Sequence, residues 1–88
     1  MKPGDLVRLK GWAGSTDTGV AVSWGRPGRQ RPVDERLVDA KLFDTGTPAL
    51  LLQTDEIEFL IRKERRSVSF ILIGGRMGWV WPQELEPL

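Results

Sequence analysis

Neither cysteine nor histidine occurs anywhere in this chain of 88 residues. Without cysteine there is no disulfide framework and no thiolate nucleophile. Without histidine the commonest metal ligand and the commonest general base at neutral pH are both missing. Most enzyme templates fall away on those two absences, so a non-enzymatic role with no cofactor is expected. Tyrosine is absent as well, and no apolar run approaches the roughly 18 residues of a membrane span, so no membrane partner is expected. The first residues lack the basic stretch and apolar segment of a secretory signal, which points to the cytoplasm unless the protein is built into a particle. Charge of one sign is scarce: thirteen basic residues stand against twelve acidic ones, a net charge of +1. That balance argues against a general polyanion binder and leaves only local basic patches.

What is present fits one small domain, residues 1–88. A chain of this size buries only about 60–65% of the surface its unfolded form exposes, so modest stability and self-association are both expected. Val7 and Leu9 alternate with Arg8 and Lys10 after the Pro3-Gly4 turn, the period of a half-buried strand. Val20, Val22 and Trp24 repeat that pattern. Residues 25–48 change character, opening with two prolines, two glycines and three arginines in eight residues, and read as a long irregular excursion. Within it Val33 to Phe43 admits an irregular strand or one helical turn. Further on, Pro48–Gln53 reads as a short buried strand and Ile57–Arg62 as a second one after an acidic turn. Ser67–Ile73 should pair with the latter as a hairpin whose basic tip holds Lys63, Arg65 and Arg66, with Val68, Phe70 and Leu72 aligned on one face. Gly74-Gly75 supplies the positive φ of a two-residue hairpin turn, leading to Met77–Trp81 and a closing helical turn. The expected fold class is all-β: a small barrel of five to six short antiparallel strands with a long irregular loop at about residues 25–48.

The segment from Gly75 to Glu86, GRMGWVWPQELE, resembles the end of SH3-like domains, where a glycine-aromatic-valine strand runs into a short turn ending in leucine or valine. There Gly78 would permit a close strand crossing, Val80 would point inward and Leu85 would plug one end. With the opening KPGDLV (Lys2 to Val7) and GTPALLL (Gly46 to Leu52), the layout looks like the small SH3-like proteins encoded by tailed bacteriophages, many of them virion components. The resemblance covers the first ten residues and the last forty or so, and does not extend to residues 11–44. It implies a structural or adaptor protein of a capsid, neck or tail, located in the virion, with itself or neighbouring virion proteins as partners. A groove for proline-rich peptides is not expected, because the chain lacks tyrosine, an adjacent tryptophan pair and the acidic loop of such a groove.

The four tryptophans are the most informative side chains. Trp79 and Trp81 flank Val80 and so lie on the face opposite it. Two readings are open: an exposed aromatic platform that becomes the centre of an interface, or a second small core beneath the excursion. The first is taken, with Trp79, Trp81 and Trp12 as protein-interface residues and Arg62 and Arg65 as rim charges. Arg26, Arg29, Arg31 and Arg66 form the alternative, a nucleic-acid-binding small barrel whose arginines grip phosphates. A monomeric regulatory factor that binds one host protein is the other rival. Asp55, Glu56 and Glu58 read as a solvated turn and an outward strand position, and neither glycine-rich stretch has the context of a phosphate loop.

Overall fold

The structure is a computed structural model and describes residues 1–11, 19–24, 40–59 and 63–88. Seven strands occur among these residues: β1 (Leu6–Leu9), β2 (Gly19–Ser23), β3 (Ala40–Asp44), β4 (Pro48–Phe59), β5 (Glu64–Ile73), β6 (Arg76–Val80) and β7 (Leu85–Pro87). A single 3-10 turn, Pro82–Glu84, separates the last two. All pairings are antiparallel, and the strands make one sheet in the order β3-β2-β6-β5-β4-β1-β7. The all-β class therefore holds. The strand count is higher than expected, and among the described residues the sheet is open, with β3 and β7 at its ends.

Strands β1 and β2 follow their sequence pattern. Val7, Leu9, Val20 and Val22 are buried and join Ala49, Leu51, Ile71, Ile73, Val80 and Leu85 in the main core. Trp24 and Phe43 pack against its margin, their rings edge to face with centroids 5.9 Å apart. Alternation places these residues inward, with Arg8 exposed and Ala21 half-buried on the opposite face between them.

Three expectations are corrected. Residues 40–44, within the irregular loop expected to residue 48 and where a strand or one helical turn stood open, form a regular strand, β3, paired along β2 from Gly19↔Asp44 to Ser23↔Ala40; residues 25–39 lie outside the described residues. Pro48–Gln53 and the segment starting at Ile57 are not separated by a turn but belong to one strand of 12 residues. Arg65 and Arg66 are strand positions of β5, with the turn before them at Lys63, whose φ is +52°. The Gly74-Gly75 turn matches its expectation: φ is positive at both residues, +61° and +77°, as a tight turn between Ile73 and Arg76 requires.

The reason β4 can run through its polar middle is a bulge. Leu51 pairs with Ile71 and Gln53 with Phe70, so Leu52 is an extra residue. Before it, odd-numbered Ala49 and Leu51 face the main core. After it, odd-numbered Gln53, Asp55 and Ile57 stand opposite Phe70, Val68 and Arg66, on the other side of the sheet. There Val68, Trp79 and Trp81 form a second apolar cluster, with Ile57 and Phe70 packed against it.

Candidate functional site

Each strand of the sheet's central part offers its inner face to the main core, and pairing fixes which residues share the outer face. Met77 stands opposite Leu72, Leu72 opposite Leu50, and Leu50 opposite Leu6. Leu88 extends the alignment, its N–H donating to the Leu6 carbonyl oxygen at 3.4 Å. A row of aliphatic side chains thus crosses β6, β5, β4 and β1 and reaches the residue just past β7. Four of its five members are open to water, Leu6 60% exposed, Leu72 41%, Met77 58% and Leu88 64%, and Leu50 at its centre is half-buried. Strands about 4.8 Å apart make such a row roughly 19 Å long. Beside its Met77 end a depression of about 320 Å³ is lined by Leu52, Gln53, Phe70 and Met77. The bulge at Leu52 helps to shape it.

Charge next to the row is internally matched. Arg8 Nε donates to Glu86 Oε2 at 2.6 Å, and these two residues are paired across β1 and β7 on the outer face. No ionisable side chain stands in the row itself. Scattered exposed leucines are ordinary, but a contiguous in-register set on one face is the kind of patch that marks an interaction surface.

The structure moves the sequence-assigned residues elsewhere. Trp79 and Trp81 do lie opposite inward-facing Val80, but they are 1% and 6% exposed, so the exposed platform is corrected. Their rings meet edge to face, centroids 5.0 Å apart, and burial in the second cluster with Val68 is the physical reason. Arg66 caps that cluster, its guanidinium carbon 4.3 Å from the centre of a Trp81 ring, and its Nε is 3.6 Å from Glu64 Oε1. Arg65 lies 3.8 Å from Glu56 Oε2 on an exposed stretch of hairpin. Trp12, Arg62, Arg26, Arg29 and Arg31 lie outside the described residues. The acidic trio is divided: Asp55 accepts from Gln53 Nε2, while Glu56 turns toward Arg65.

No family model, curated protein or solved structure matches this chain. Its function has to be read from the surface alone. No helix among the described residues is long and apolar enough to cross a membrane, and no group of three or more metal-ligating side chains occurs among them.

Sequence reasoning missed the row, although a signal was there. Ala49–Leu52 and Phe70–Ile73 are uninterrupted apolar runs, which is how a strand reads when both faces are apolar. On β5 the inner face belongs to Ile71 and Ile73, so Leu72 was left for the outside.

Proposed function

We propose that this chain is a non-enzymatic structural or adaptor protein that works through protein–protein contacts, with the aliphatic row as its working face. The observation that carries the reading is the row itself: four side chains, each at least two-fifths exposed, aligned across the sheet with no ionisable side chain among them. Its removal from water on binding provides the driving force, and Arg8 and Glu86 beside it are already matched with each other.

An SH3-like arrangement, and with it a place among the small virion proteins of tailed bacteriophages, is the finer form of this proposal. Three features support it besides the terminal motifs: β1 pairs with both β4 and β7, β4-β5-β6 form a meander, and a 3-10 turn precedes the last strand. A role in a capsid, neck or tail belongs to the same proposal.

The test is affinity capture from the cells or particles that contain the protein, with the native chain and a Leu6→Lys/Met77→Lys double variant as parallel baits. Proteins retained by the native chain and lost by the variant are the expected result. Identical sets from both baits would sink the reading, provided circular dichroism shows the variant folded.

A further inference from the structure

We propose that the aliphatic row is a two-fold interface through which two copies of this chain pack sheet face against sheet face. The proposal rests on the row being a protein-binding face, and adds the identity of the occupant. In an isologous contact the same patch must complement itself. A row made only of leucine and methionine meets that condition at its centre and along its length. Leu50 is the third of its five positions, counted from Met77 to Leu88. A two-fold axis through Leu50 sets Leu72 against the partner's Leu6, and Met77 against the partner's Leu88. The depression lined by Leu52, Gln53, Phe70 and Met77 then lies at the end where the partner's Leu88 arrives, giving an exposed aliphatic side chain an apolar recess to enter.

Charge suits a second copy, and the area suits a weak one. The chain carries a net charge of +1, so two copies repel one another little. The Arg8–Glu86 pair beside the row is already neutralised within each chain. The exposed parts of the row and recess amount to roughly 400–500 Å² per copy, and roughly 900 Å² for a pair, well short of the roughly 1,600 Å² of a standard interface and in the range of weak, transient contacts. Association through so small an area is therefore weak and reversible.

The experiment uses the absence of native cysteine. Leu50→Cys places one thiol on the proposed axis, while Met77→Cys places one roughly 19 Å from its symmetry mate, four strand spacings away. With a bismaleimide whose reach is about 10 Å, the spacing of sheets packed face to face and too wide for a direct disulfide, Leu50→Cys should form a cross-linked dimer at least tenfold faster than Met77→Cys. A mixture of Met77→Cys with Leu88→Cys should form a mixed dimer. Independently of thiol chemistry, Leu72→Lys and Leu6→Glu should each be monomeric in sedimentation equilibrium, and mixing them should restore a dimer by setting the lysine against the glutamate. Monomers at every concentration, or equal cross-linking of Leu50→Cys and Met77→Cys, overturn the two-fold arrangement. If Leu6→Lys/Met77→Lys nevertheless loses captured proteins, the binding face survives with a different occupant. If it loses none, both readings fall together.

Discussion

Gly78 and Val22 approach so closely that a β-carbon on residue 78 would stand 2.6 Å from Val22 Cγ1 and 2.8 Å from the Ser23 carbonyl oxygen. This is where β2 crosses against β6, held by the pairing of Ser23 with Trp79. Gly78→Ala must push β2 away, and because one obstacle is backbone the strand cannot yield by rotating a side chain. We expect a loss of about 1–3 kcal/mol, in line with overpacking of a filled interior. Gly11→Ala is the control, since a β-carbon there meets nothing within 4 Å. Urea unfolding should separate the two variants, and equal midpoints would refute the close crossing.

The two tryptophans of β6 should act as core residues. Trp79→Ala is expected to cost about 3–5 kcal/mol, as for other large aromatics removed from an interior. Arg66 over the Trp81 ring is half-exposed, so its coupling to Trp81 is smaller. A double-mutant cycle with Arg66→Ala and Trp81→Leu should give about 0.5–1 kcal/mol. A Trp79→Ala chain with unchanged stability would return that ring to the surface.

Ser23 carries a buried hydroxyl with no hydrogen-bond partner. Burying a hydroxyl in that state costs free energy that a methyl group does not, so Ser23→Ala should leave stability unchanged or raise it by about 0.5–1 kcal/mol. A fall of more than about 1 kcal/mol in thermal or urea unfolding would mean that the hydroxyl is satisfied in solution.

The legible part of the fold is where one strand face is polar. Val7 and Leu9, then Val20 and Val22, announce their inward side because Arg8, Ala21 and Ser23 interrupt them. Period-two reading fails on β5, where Phe70 to Ile73 offers apolar side chains to both faces and the sequence alone gives no parity. It fails again on β4, because a bulge resets which residues face inward and makes Gln53 to Glu56 look like a turn. For Trp79 and Trp81 the face was legible from their alternation with Val80. Their burial was not, since it depends on Ile57, Val68 and Phe70, brought together by strand pairing. The row was hidden for the same reason: Leu6, Leu50, Leu72, Met77 and Leu88 are neighbours only once five chain segments are in register.

Register also decides what the chain should do when a residue is removed. Deleting Leu52 joins Leu51 to Gln53, and their partners Ile71 and Phe70 are already consecutive. Every later residue of β4 then keeps its partner and its face, so the shortened chain should fold. It loses the local bend and part of the recess wall, at a cost of about 1–3 kcal/mol. Deleting Ile71 is different in kind. It removes a core residue from a strand paired on both sides. It also forces Phe70 and the residues before it to exchange faces relative to Leu72 and Ile73. That chain should show no cooperative unfolding transition. Circular dichroism with urea titration on the two deletions distinguishes them, and a chain lacking Leu52 that unfolds as completely as one lacking Ile71 would refute the bulge.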